Sequence, residues 1–209
     1  MDTSKSVLRP ELEEFVAMVR KIGVGEDRRV LLQPLVDYIQ DVVDQDDIAY
    51  LNFICTHNSR RSQLSQVWAQ TAADYFEIPV KCYSGGVEVT AFNERAVASL
   101  KRSGFRITAK GEGNPKYAVY YLKNGQPIQA FSKRYDDPEN KAPGFAAVMT
   151  CSDADENCPF IPGAEVRIPI RYEDPKEFDG TPEEAFMYDQ RSRQIASEMF
   201  YVFSQIKSA

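Results

Sequence analysis

The stretch Ile48–Phe76, IAYLNFICTHNSRRSQLSQVWAQTAADYF, decides the fold. It opens with apolar, β-branched and aromatic residues (Ile48, Tyr50, Leu51, Phe53, Ile54) and passes through a short polar loop. It ends in a segment where Leu64, Val67, Trp68, Thr71, Ala72 and Tyr75 recur at helical spacing. This pattern predicts strand, loop and helix, with Cys55 at the strand end and Arg61 at the helix start. Backbone N–H groups at a helix N-terminus point toward a bound anion, and the helix dipole adds positive potential. Arg61 can grip a tetrahedral oxyanion through two parallel hydrogen bonds, which a lysine cannot do. The same field favours a nucleophilic thiolate at Cys55. Ser62 is placed to donate a hydrogen bond to that sulfur, and Asn58 to hold the loop's shape. Residues 55–62 therefore read as an oxyanion cradle.

Upstream, residues 10–22 (Leu12, Phe15, Val16, Val19, Ile22) and 29–43 (Leu32, Leu35, Val36, Ile39, Val42, Val43) each carry a helical apolar stripe, separated by Gly23, Gly25, Glu26 and Asp27. This predicts a helical hairpin, an extension over 1–46 ahead of a main domain over 47–209. Downstream, Val80–Tyr83 reads as a second strand running into Ser84, Gly85 and Gly86. Asn93 then caps a helix through Ala96, Val97, Leu100 and Arg102 that stops at Gly104. Residues 108–143 look inserted. Tyr117–Leu122 and Ile128–Phe131 flank Asn124-Gly125, a hairpin signal, giving an inserted β-hairpin over 116–132. Strands at 145–150 and 164–170 follow, then a final helix with a capping box at Thr181, Pro182 and Glu184 and a buried stripe of Ile195, Met199, Val202 and Ile206. The order implies an α/β fold, a parallel sheet flanked by helices, with ligands at the carboxyl ends of its strands.

A chain of 209 residues can bury a full core, and a net charge of −6 without a basic run argues against nucleic acid as a partner. The opening MDTSKSVLRPELEE lacks the apolar core of a signal peptide, and no apolar run approaches membrane-spanning length. The expectation is a cytoplasmic protein with no membrane partner. Four cysteines in a reducing compartment point to catalysis, redox or metal chemistry rather than structural disulfides. With a single histidine, His57, inside the anion loop and no paired C-x2-C, no metal site is expected.

CTHNSRRS resembles the phosphate loop of the low-molecular-weight protein tyrosine phosphatase superfamily, and CTHNSRRSQ followed by WAQ is closer to its arsenate-reductase branch. YSGG with a later Asn before a helix also resembles that family. The strand ending at Thr150 runs into CSDADENCP, and VMTCSDADENCPFIP is similar to the corresponding segment of thioredoxin-coupled arsenate reductases. A phosphatase needs only Cys55, whereas a reductase needs three thiols. One attacks arsenate, a second expels arsenite as a disulfide forms, and a third relays that disulfide to the surface. The resemblance assigns these steps to Cys55, Cys151 and Cys158, with thioredoxin as reductant and no bound cofactor. Arsenate, or a phosphate-like oxyanion, would sit among Thr56, His57, Asn58, Ser59, Arg60, Arg61 and Ser62. The family also uses an Asp-Pro as general acid. Asp137-Pro138 and Asp174-Pro175 both qualify, and Asp174 stands where the family places its acid.

The chain departs from the family pattern at several positions. His57 replaces a usual Gly and is expected to crowd the loop or alter its backbone angle. Arg60 replaces a Cys found in many relatives and is expected to face solvent or, alternatively, to strengthen anion capture. Gln66 replaces a Glu that helps some relatives hold potassium, so that ion is not expected, and Cys82 carries no expected role. Two other functions compete with arsenate reduction. One is a tyrosine phosphatase using Cys55, Arg61 and Asp174, disfavoured because EDPKEF lacks aromatic residues to flank a phosphotyrosine. The other is a redox or oxyanion sensor without turnover, acting through the helical hairpin.

Overall fold

The computed structural model describes residues 7–157 and 160–207. Two helices, α1 (Pro10–Val19) and α2 (Glu26–Val43), precede strand β1 (Ala49–Cys55), helix α3 (Arg61–Tyr75), strand β2 (Val80–Gly86) and helix α4 (Glu94–Arg102). Strands β3 (Arg106–Lys110), β4 (Lys116–Tyr120) and β5 (Ile128–Ala130) form a separate antiparallel sheet. Then come β6 (Phe145–Met149), α5 (Ser152–Asn157), β7 (Ala164–Pro169) and α6 (Glu184–Gln205). The main sheet has the order β2-β1-β6-β7, and every pairing in it is parallel. All four strands therefore deliver their carboxyl ends to one edge, where Cys55 pairs with Gly86 and Ile54 with Met149.

The pleat divides the interior into two unequal parts. From β1 and β6, Ala49, Leu51, Phe53, Ala146 and Val148 enter a large core shared with α1, α2, α3, α4 and α6. Ile54, Cys55, Phe145, Ala147, Met149 and Cys151 face the other way into a small cluster closed by Ala154 of α5 and by Ile161. The helical hairpin belongs to the large core. Leu12, Val16, Val19, Leu32, Leu35 and Ile39 are all buried there, and Phe15 stacks on Trp68 at 5.5 Å between ring centroids. The Trp68 indole N–H donates to Ser192 Oγ at 2.9 Å, so the largest core side chain keeps its polar atom satisfied. Gly104 ends α4 with φ +104°, and a Cβ there would meet the backbone of Glu11 and Leu12 at 2.7 Å.

The parallel sheet, hairpin helices, inserted β-hairpin and closing elements match the sequence reading. Two details differ. β3 was not expected: its side chains are mostly exposed, so RITAK carries no apolar signature, and pairing with β4 creates it. The capping box at the last helix is shifted. Glu183 is the N-cap, and the Glu184 carboxylate accepts from the backbone N–H of Gly180 at 2.7 Å instead of that of Thr181.

Two buried charges shape stability in opposite senses. Arg28 of α2 donates to both oxygens of Glu198 on α6, at 2.9 and 2.6 Å, and Glu198 Oε2 also accepts from the Tyr172 hydroxyl at 2.9 Å. Arg28→Met leaves that buried carboxylate without its cation and should lower stability by about 3 kcal/mol, read from the urea midpoint. Lys133, just beyond β5, is 4% exposed, and its ammonium has no carboxylate or hydrogen-bond partner among the described residues. Burial depresses its pKa from 10.5 to about 8. Below pH 8 both folded and unfolded chains carry the proton and the buried charge weakens the fold. Between pH 8 and 10.5 the folded form deprotonates first and that penalty disappears. Lys133→Met should therefore raise stability at pH 7 by about 1–3 kcal/mol, with the gain vanishing toward pH 10.5 in paired urea titrations.

Candidate active site

Cys55 ends β1 and is 4% exposed at the mouth of the loop. The Ser62 hydroxyl lies 3.0 Å from its sulfur, and Asn58 Nδ2 donates to that same hydroxyl at 2.9 Å. The Ser62 oxygen is thus occupied as an acceptor, which leaves its proton for the sulfur. Among the described residues, no acceptor within the chain takes the backbone N–H groups of Thr56, His57, Asn58, Ser59 or Arg60. Five consecutive donors without an internal partner, followed by the first turn of α3, form a concave nest for an anion.

The loop keeps this shape because its other polar groups are tied down. Asn58 adopts φ +45°, a left-handed conformation that asparagine tolerates better than most residues. Its Oδ1 accepts from Gln63 Nε2 and from the backbone N–H of Lys133, both at 3.0 Å. The His57 carbonyl accepts from Ser132 Oγ at 2.9 Å, and Ser59 Oγ donates to the Ala91 carbonyl at 2.7 Å. A Cβ on Gly86 would meet Asn58 N at 2.7 Å and His57 C at 2.9 Å, so β2 and the loop approach backbone to backbone. The insert thus borders the site through the segment leaving β5.

His57 does not crowd the loop. Its side chain is 46% exposed and turns outward to Glu88, 3.3 Å away, while the left-handed angle falls on Asn58. Arg60 does not face solvent. Its side chain is only 13% exposed because Tyr188 of α6 folds over it: Arg60 Nε donates to the Tyr188 hydroxyl at 2.9 Å, with Asp179 at 3.6 Å. Burial and the hydrogen bond that Tyr188 donates to Asp179 push that phenol up to about 12, so it stays protonated in this network. Arg61 Nη2 donates to Asp174 Oδ2 at 2.8 Å and Nη1 to the Tyr172 carbonyl at 3.0 Å, while its Nε is buried without a partner. Asp174 sits just ahead of a short 3₁₀ turn, Pro175–Phe178, and its Oδ1 caps that turn through the N–H of Lys176. Asp137 instead accepts from the N–H of Glu139 in its own turn, with no contact to the loop among the described residues. Beside the loop opens a cleft of about 520 Å³ lined by His57, Arg60, Asn93, Arg95, Tyr117 and Lys176.

Cys151 follows β6, next to β1 in the sheet, and is 1% exposed. Its sulfur lies 3.6 Å from Thr56 Oγ1 and shares the small apolar cluster with Cys55, so the sheet brings these two thiols together. The helix after it, α5, is pinned by Asp155, which bonds Arg167 Nε at 3.0 Å and Arg171 Nε at 2.9 Å. Cys158 lies outside the described residues. Cys82 is buried on β2, and burial pushes its thiol well up, as fits a packing residue. Sequence reasoning missed Gln63, Tyr172, Asp179 and Tyr188. Only Gln63, inside the quoted CTHNSRRSQ, carried a local signal. Among the described residues, no group of three or more His, Cys, Asp or Glu is arranged to hold a metal ion, and no helix is long and apolar enough to cross a membrane.

No family model matches the chain. It is 30% identical over 141 residues to an arsenate reductase of Bacillus subtilis, which covers 68% of this chain and 84% of that protein. It is also 30% identical over 149 residues to an arsenate reductase of Staphylococcus aureus, covering 71% of this chain and 92% of that one. Among solved structures, a low-molecular-weight phosphotyrosine phosphatase from Vibrio cholerae superposes with a TM-score of 0.50 at 10% identity, over 75% of this chain and 94% of that one, and so shares its fold. With a thiol at the floor of an anion nest, a second thiol one strand away and relatives of this identity and coverage, the chain belongs to the arsenate reductases built on the low-molecular-weight phosphatase fold.

Proposed function

We propose that the protein reduces arsenate to arsenite through Cys55, Cys151 and Cys158, with thioredoxin or an equivalent dithiol as electron donor. The observation that carries the reading is the placement of buried Cys151 against Thr56, within the same cluster as Cys55. A phosphatase has no use for that second thiol. Arsenate enters the nest formed by residues 56–60 and takes over the guanidinium fork that now holds Asp174. This exchange frees the Asp174 carboxyl to protonate the departing oxygen as the Cys55 thiolate displaces it and an S–As bond forms. Cys151 then attacks the Cys55 sulfur. The S–As bond breaks, its electron pair stays on arsenic, and arsenite leaves as a Cys55–Cys151 disulfide forms. Cys158 attacks Cys151, returns the Cys55 thiolate, and leaves a Cys151–Cys158 disulfide for the dithiol donor to reduce. Ser62 steadies the Cys55 sulfur throughout.

The deciding experiment follows arsenate-dependent NADPH oxidation with thioredoxin and thioredoxin reductase. Wild type should turn over and Cys151→Ser should not. Aryl phosphate hydrolysis that survives Cys151→Ser, with no arsenate turnover in either protein, would move the assignment to the phosphatase reading. Cys158→Ser should release one equivalent of arsenite per chain and then stop, which rapid-quench arsenic speciation reads directly. Gly86→Ala should weaken phosphate binding by about 10-fold or more while the chain stays folded, because the added methyl drives the loop backbone out of register; calorimetric titration with phosphate measures this.

A further inference from the structure

A second cleft, of about 510 Å³, runs along the outer edge of β2 between α3 and the three-stranded sheet. Lys81, Lys133, Lys141, Tyr83, Tyr121 and Asn140 line it. Three cations gather here in a chain whose net charge is −6. The one carboxylate lining the cleft, Glu139, is held by Lys116 at 2.6 Å. The Lys133 side chain lies over the Phe131 ring, with Nζ 4.8 Å from its centroid, and no described residue gives that ammonium an anion or an acceptor. Asn140 donates to the carbonyls of Ser84 at 3.0 Å and Tyr135 at 3.2 Å, which leaves its Oδ1 buried without a donor.

A largely buried cation without an anionic partner weakens the fold. The groups whose charge reaches Lys133 are Asp137, Glu139 and Lys116, and they leave it protonated below about pH 8. Asn140 Oδ1 is closed off from the cleft, so the valence that the cleft leaves open to an occupant is the Lys133 ammonium, which wants an anion. The space exceeds what an inorganic oxyanion fills and has two tyrosines in its walls. We propose that this cleft is a second ligand site, for a small organic anion that places one phosphate or carboxylate group on Lys133, with Lys81 and Lys141 in the same walls. The backbone N–H of Lys133 donates to Asn58 at 3.0 Å, so the occupant sits one residue away from the phosphate loop without entering it.

The test is a residue-resolved NMR titration of the full chain with glycerol 3-phosphate, glycerate and inorganic phosphate. The Asn140 side-chain amide and the Cys82 backbone amide report the cleft, and the Thr56–Arg60 amides report the loop. Glycerol 3-phosphate or glycerate should shift the cleft signals along a saturable curve, and whichever of the two binds tighter identifies the anionic group. Lys133→Met should weaken that curve by at least 10-fold while phosphate still shifts the loop signals. Lys133→Gln, which keeps a polar end without the charge, should behave in the same way. Cleft signals that respond to neither organic anion, or that titrate in both variants as they do in the wild type, would overturn the proposal whether or not the protein reduces arsenate.

Discussion

Five consecutive backbone N–H groups without internal acceptors are an unfavourable arrangement for an isolated chain, and much of the surrounding structure holds it. Asn58 is the central restraint. Its backbone takes the left-handed turn, its amide nitrogen fixes Ser62, and its amide oxygen binds Gln63 and the strand-like segment at Lys133. Every carbonyl or side chain of the loop that does not face the anion is drawn outward by a neighbour, as with His57 to Ser132 and Ser59 to Ala91. The loop is thus shaped before its ligand arrives, which lowers the ordering cost of binding.

The parallel sheet supplies the second constraint. Side-by-side β1 and β6 end at the same edge, so Cys55 on one and Cys151 just beyond the other come into one cluster without any loop having to carry them there. Asp174 reaches that edge by a different route. Asp174 follows β7 at the far side of the sheet, and its segment is fixed by Arg28 and Glu198 through Tyr172, whose carbonyl also takes Arg61. Helix α2 therefore reaches that edge of the sheet through a chain of charged and hydrogen-bonded side chains.

Much of this was legible in the sequence because it rests on local pattern. The β-branched run before Cys55, the apolar stripe around Trp68, the Asn-Gly of the hairpin and the Asn93 cap each announce themselves within a few residues. What escaped depends on partners far along the chain. Arg60 looked solvent-facing because Tyr188, which covers it, is 128 positions away. β3 was invisible because an exposed strand at the margin of a small sheet has no apolar alternation to display. The fate of His57 turned on which loop residue takes the left-handed angle, and that choice is made by hydrogen bonds from the insert at Ser132 and Lys133.

The unequal division of the interior has a thermodynamic meaning. Five helices and most of the large side chains, Trp68, Phe53 and Phe203 among them, lie on one side of the sheet, while Cys55 and Cys151 share the other with a six-residue helix and a handful of small or medium apolar groups. Asp155 and its two arginines are the main polar tether of that helix. The two faces therefore differ greatly in the apolar burial that holds them. Local opening is cheapest where the fewest apolar contacts must break, so the face that carries Cys55 and Cys151 is held by a smaller share of the fold's apolar burial than the face packed on the five helices.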